Sequence, residues 1–301
     1  MKTKTAARCQ NVRSFVGKTS KLWAHPRAPK HGFTLVELLV VIAVLAMLVA
    51  VRVPALCRVN LKSQALVCMS NQRQLTAAWT SWSQDNGDQL LAARVWVGGD
   101  VSYPGGGGSG TPTNPDDFVD MGANGTIGRN LPASPLFIYL GKKATLFKCP
   151  ADYRAAIYPR KGVFSICRSY SMNAYIGTDS TGRSLWDQNV FGYNKLSNLR
   201  RPGPANTFVF LDEGSSINDG FFATNMDTYD PKNWPALRWV DIPAAYHNLA
   251  GSFSFADGHC EIHTWTDPRT PLARLGDSAP NNLDLDWLQS KCSAKITNPT
   301  R

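Results

Sequence analysis

Five side chains near the C-terminus have the types and spacing for metal chemistry: His247, Asp257, His259, Glu261 and His263. Residues two apart on a strand share a face, so His259, Glu261 and His263 point together if this segment is a strand. Imidazole and carboxylate groups in one cluster suit a transition metal such as zinc. A simpler reading exists for each residue, and it is favoured. Asp257-Gly258 suits a turn because Asx-Gly tolerates positive φ. His247 can brace a hairpin through a hydrogen bond. Short polar alternation is what a half-exposed strand looks like. Calcium is a separate candidate: Asp212-Glu213 with Asp219, or Asp227 with Asp230, could supply oxygens, although none matches an EF-hand. No cofactor is required by any of these patterns.

Cysteine is the other reactive residue type. The seven are Cys9, Cys57, Cys68, Cys149, Cys167, Cys260 and Cys292. No CxxC pair occurs, which argues against a structural zinc site. An even number remains if Cys9 is removed with an N-terminal leader, and an even count facing an oxidising compartment suggests disulfides. Connectivity is open; Cys68 with Cys149 is the preferred pair. Several could equally be buried thiols. Catalytic signatures are otherwise missing: no G-x-S-x-G elbow, no H-E-x-x-H and no phosphate-binding loop, since Gly105–Gly108 lacks a following Lys-Ser/Thr.

The elements that must position these groups begin with residues 31–51, HGFTLVELLVVIAVLAMLVAV. From Phe33 to Val51 the run holds one charge, Glu37, and is long enough to span a bilayer as a helix. A carboxylate inside such a run is costly and usually has a partner. Pro54 closes the run, and a proline within a helix removes a hydrogen bond and kinks it. Beyond it, Leu61, Ala65, Cys68, Gln72, Leu75, Trp79 and Trp82 form one helical stripe, which predicts a helix to about Gln84 with Asn86-Gly87 as its stop. Residues 98–117 are too rich in glycine and proline for regular structure. Thr207–Asp212, Gly251–Ala256 and His259–Trp265 read as strands, the last two joined at Asp257-Gly258 as a hairpin. The layout is α+β: a long N-terminal helix, half transmembrane and half amphipathic, followed by antiparallel strands.

Charge is distributed unevenly. The chain has 32 basic and 22 acidic residues, and eight of the basic ones lie in residues 1–32 with no acid among them. The rest holds 24 against 22 and is nearly neutral. The basic balance thus belongs to the leader, which it would hold on the cytoplasmic side. No basic patch is left to argue for nucleic acid as a partner.

Gly32, Phe33, Glu37 and the apolar run strongly resemble the signal of type IV prepilins and type II secretion pseudopilins. That resemblance implies cleavage after Gly32 by a prepilin peptidase and N-methylation of the new terminal Phe33. It implies domains at 1–32 (leader), 33–84 (pilin-type helix, transmembrane over 33–51) and 85–301 (extracytoplasmic). Partners would be other pilin or pseudopilin subunits and the inner-membrane secretion or pilus machinery. The protein would be a single-pass bacterial inner-membrane protein with its N-terminus cytoplasmic, and not an enzyme. Glu37 would pair with a neighbouring Phe33 amine. An ordinary signal peptide fits less well, because its apolar core is shorter and Val53-Pro54-Ala55 makes a poor cleavage site.

His247, followed by nine residues and then Asp257-Gly258, resembles the H-X9-DG signature of a group of bacterial prepilin-like proteins. Cys149-Pro150-x-Asp152 and Ser169-Tyr170-x-x-Asn173 also resemble that group, which implies location and assembly rather than a reaction. Two rival readings of the C-terminal part are an anchored metal-binding enzyme using the His/Asp residues, and a carbohydrate-binding module using Trp234 and Trp239.

Overall fold

Why one chain builds both an apolar rod and a folded head is visible in helix α1, Leu35–Asp85. The structure, a computed structural model, describes residues 33–97, 134–158, 162–177, 190–217, 220–226 and 238–294, with side chains described except at 51–58 and 155–165. The leader, the glycine-rich stretch and Asp219, Asp227, Asp230 and Trp234 lie outside the described residues, as does the side chain of Pro54. The chain divides into two units, Met1–Arg52 and Val53–Arg301.

In the first unit α1 exposes its apolar side chains on every side: Leu35 is 79 % exposed, Ile42 56 % and Val49 58 %. Apolar groups around the whole circumference lack cover from the described residues of this unit. Among the described residues no helix is long and apolar enough to cross a membrane. The described side chains of this stretch stop at Ala50, so the span expected over Phe33–Val51 is not met within them.

The second unit includes the rest of α1, whereas the division drawn from sequence separated the helix from the head at residue 84. Burial explains the difference. Cys68, Gln72, Leu75 and Trp79 are fully buried and Asn71 nearly so, which makes this half of the helix part of the core. Asn71 donates from Nδ2 to the Lys148 carbonyl at 3.1 Å. Leu61, counted in the stripe, is exposed. The helix ends at Asp85, followed by Asn86 and Gly87, whose φ is +66°.

Among the described residues seven strands follow: β1 Ala155–Tyr158, β2 Gly162–Ser165, β3 Tyr170–Asn173, β4 Phe208–Asp212, β5 Phe221–Phe222, β6 Ala250–Phe255 and β7 Cys260–Thr264. β1 and β2 pair as a hairpin; the other five form a sheet in the order β5-β3-β4-β6-β7. All its pairings are antiparallel except β3 with β5. Helix α2, Leu283–Cys292, is capped by the Asn282 side chain, which accepts from the Leu285 N–H. The fold is therefore α+β, with an N-terminal helix packed on a mixed five-stranded sheet.

Two apolar clusters lie on the sheet's two faces. Leu75 and Trp79 of α1 share one with Tyr170, Met172 and Phe210; Leu285, Leu288 and Cys292 of α2 share the other with Phe208, Phe253 and Phe255. The faces should alternate along β4. They do not between Phe208 and Phe210, where the register with β6 shifts. This irregularity turns Phe210, and two residues later Asp212, toward α1. On β6 the same face carries the small residues Ala250, Ser252 and Ser254: Thr76 donates to Ser254 Oγ at 2.8 Å and Gln72 to Ser252 Oγ at 2.7 Å. Small side chains there let the helix approach the sheet closely.

Candidate functional site

Two places in the chain carry chemistry. The first is the start of α1. Thr34 donates its backbone N–H and its hydroxyl to Glu37 Oε2, both at 2.8 Å, while the Glu37 N–H donates to Thr34 Oγ1 at 3.2 Å. This is a reciprocal capping box, and T-L-V-E is its S/T-x-x-E sequence form. Sequence reasoning assigned Glu37 to assembly and overlooked this nearer partner. Cleavage after Gly32 would leave both Thr34 donors in place.

The second place is buried between α1 and the sheet. Cys68 comes from α1, Cys149 from the segment after a short 3-10 helix (Ala144–Phe147), Asp212 from the end of β4 and His247 from the turn before β6. One ligand atom from each lies within 4.8 Å of those of the other three, and all four residues are buried. Cys68 Sγ is 3.3 Å from Asp212 Oδ1, His247 Nε2 is 3.1 Å from Asp212 Oδ2, and Cys149 Sγ is 3.4 Å from His247 Nε2. Around them, Ser252 donates its N–H (3.2 Å) and hydroxyl (2.6 Å) to Asp212 Oδ2, and the Tyr170 hydroxyl lies 3.3 Å from Cys68 Sγ.

Local geometry explains how His247 arrives there. Its N–H donates to the Ala250 carbonyl at 3.1 Å across a two-residue turn, Asn248-Leu249, with φ of 58° and 61°. Such a turn reverses the chain directly into β6. Electrostatics follow from burial. It pushes the Cys68 thiol well up, helped by Cys149 and the Asp212 charge. At Cys149 the Cys68 hydrogen bond lowers the pKa, but burial and Asp212 raise it further. Burial lowers the His247 pKa, and the Asp212 hydrogen bond and charge more than reverse it.

Several expectations are corrected here. Cys68 and Cys149 do lie side by side, but as free thiols rather than a disulfide. The five residues His247, Asp257, His259, Glu261 and His263 do not form one site. Asp257 and His259 pair with each other at 2.6 Å on a solvent-facing hairpin tip, where His259 stacks on Phe255. His263 stacks on Trp287 with centroids 3.7 Å apart, its pKa lowered by burial, and half-buried Glu261 lies outside the group of four. Only His247 joins a convergent group. The turn reading of Asp257-Gly258 is the one the backbone supports, with Gly258 at φ +92°. The calcium pair Asp212-Glu213 is split: Asp212 faces the cysteines, while Glu213 accepts from Ser171 and, at 2.6 Å, from Ser216. Trp239, a candidate for sugar stacking, is buried at 2 % exposure.

Of the motif residues quoted with Cys149, Tyr170 touches this group through Cys68 Sγ, and the others make their own contacts. Asp152 accepts from the Ser169 hydroxyl at 2.6 Å and pairs with Arg154 at 2.8 Å. Asn173 donates to the Phe208 and Cys292 carbonyls at 3.0 and 2.9 Å, tying the sheet to α2.

Nucleophilic catalysis does not fit the group. A Cys–His–Asp relay needs the thiol on one imidazole nitrogen and the carboxylate on the other. Here both meet Nε2, and Nδ1 has no partner among the described residues. The side chains converge on a point instead.

Comparison with known proteins bears on the first place. Residues 27–51 match the family described as the prokaryotic N-terminal methylation motif. The match spans Gly32, Phe33 and Glu37, and it marks the chain as type IV prepilin-like, of the kind that includes pseudopilins. The motif implies processing by a peptidase, a membrane-anchored N-terminal helix and assembly with other pilin-type subunits. It ends before the head, so the H-X9-DG resemblance is outside it. No curated protein and no solved structure matches the chain.

Proposed function

We propose that the protein is a structural prepilin-like subunit whose N-terminal helix carries it through a bacterial inner membrane into a type II secretion or type IV pilus-like assembly. The basic leader stays cytoplasmic, Phe33–Val51 inserts, and a prepilin peptidase cuts after Gly32 and methylates Phe33. The matched motif carries this reading. The exposed apolar circumference of α1 in the first unit supports it, because apolar side chains exposed all round a helix suit lipid or other helices. Once freed, the Phe33 amine is a cation beside hydrocarbon. A Glu37 carboxylate on a neighbouring subunit is a fitting partner, and an ion pair that forms only on alignment would set the axial register.

The head domain serves as a structural part of the subunit rather than an enzyme. Its four converging side chains, Cys68, Cys149, Asp212 and His247, are all buried, which favours a structural role. The test is the mature N-terminus, read by mass spectrometry on the membrane fraction of the native host. A chain beginning at N-methylated Phe33 supports the proposal. A chain beginning after Ala55, or one left uncut, overturns it.

A further inference from the structure

We infer that Cys68, Cys149, Asp212 and His247 form a closed structural zinc site that fastens helix α1 to the central strand of the head domain. The first observation is geometric. A tetrahedral zinc with bonds of about 2.0–2.3 Å holds its ligand atoms roughly 3.3–3.8 Å apart. Three edges of the group measure 3.1 Å (His247 to Asp212), 3.3 Å (Cys68 to Asp212) and 3.4 Å (Cys149 to His247). No pair of the four exceeds 4.8 Å, so a small contraction closes the set.

The second observation is the proton count. One imidazole N–H directed at Asp212 cannot also serve Cys149, yet both lie on Nε2. A cation at the centre answers both contacts with one lone pair. Binding releases three protons to solvent, one from each thiol and the one on His247 Nε2, so that the neutral ring, keeping its proton on Nδ1, offers the Nε2 lone pair. The site then carries Zn²⁺, two thiolates and one carboxylate, a net charge of −1. Donors are already in place for that negative charge. Tyr170 and Ser252 hydroxyls lie 3.3 and 3.0 Å from Cys68 Sγ, and Gln72 donates to Ser252 Oγ, leaving the serine proton free for the ligands.

The third observation is the donor chemistry. Two thiols, an imidazole and a carboxylate favour zinc over calcium or magnesium, which take oxygen ligands. Four protein ligands and full burial describe a structural rather than a catalytic site. Cys149 also lines a surface groove of about 530 Å³ with Val67, Asn71, Thr145 and Tyr153, which gives the ion a way in. The ligands come from four separate segments, so the metal would close long loops and add its binding energy to folding. This inference stands apart from the assembly reading and does not depend on it.

The experiment uses the full chain, purified from membranes in detergent with thiols kept reduced. Metal analysis is expected to give about one zinc per chain, and Co²⁺ titration is expected to give the visible bands of a tetrahedral cobalt thiolate. Cys149→Ser and Asp212→Asn should each weaken Co²⁺ binding at least tenfold, whereas Cys260→Ser, outside the group, should not. A chelator should lower the unfolding temperature of the wild type. If Cys149→Ser does not fold, the wild-type spectrum still decides, because thiolate-to-cobalt charge transfer requires a cysteine ligand. Substoichiometric metal with an octahedral cobalt spectrum would overturn the inference. So would a Cys68–Cys149 disulfide found by peptide mapping of the mature protein.

Discussion

Glu37 is asked to do two things with one carboxylate. Within its own chain it caps α1 through Thr34, accepting from that residue's N–H and hydroxyl. In the proposed assembly it also meets a neighbour's Phe33 amine. The two roles separate by substitution. Glu37→Gln keeps an oxygen to accept from Thr34 but removes the charge. Cleavage after Gly32 should then be largely unchanged, while recovery of assembled subunits by crosslinking should fall. Normal assembly of this variant would sink the ion-pair idea. Asp212 is the equivalent hub in the head. It accepts from His247 and from both Ser252 donors and lies beside Cys68, all buried. Asp212→Ala strands those groups, and a loss of about 3 kcal/mol is expected in urea denaturation, the range for breaking a buried pair.

At the scale of elements, backbone irregularities place the site. The register shift in β4 puts Asp212 on the helix side of the sheet, and the Asn248-Leu249 turn delivers His247 to the same spot. The β6–β7 hairpin holds Ser252 beside them. Its turn needs Gly258 at φ +92°, where a Cβ meets no neighbour but the backbone is strained. Gly258→Ala should therefore cost about 1–2 kcal/mol, read as a lowered urea midpoint with an unchanged slope. A changed slope would mean that the substitution altered more than the turn.

Across the whole molecule, the two units answer to different solvents. Among the described residues, the buried hydrophobic ones are all contributed from Cys68 onward, while Phe33–Val49 exposes its apolar side chains. Removing residues 1–52 should thus leave the core complete. The shortened chain is expected in the aqueous fraction, with an unfolding temperature within about 2 °C of the full chain, since a shift of that size corresponds to under about 1 kcal/mol for a unit this long. A large drop would show that the head draws stability from the first unit. The full chain should sediment with membranes.

Local signals in the sequence were enough for the N-terminal motif, which the family comparison matches over residues 27–51. G-F-T-L-V-E and the unbroken apolar run are read from consecutive residues, and the hairpin at Asp257-Gly258 and the α1 stripe follow from short-range periodicity. The capping box was equally legible in T-L-V-E. The buried group was not. Its members lie at positions 68, 149, 212 and 247, and no spacing rule joins residues that far apart. His259 and His263 looked like better partners for His247 because they are near in sequence, yet they face Phe255 and Trp287. The pairing of strands, a register shift and the docking of α1 decided which side chains meet. Those are consequences of packing the whole domain, and contacts of that range exist only once it has folded.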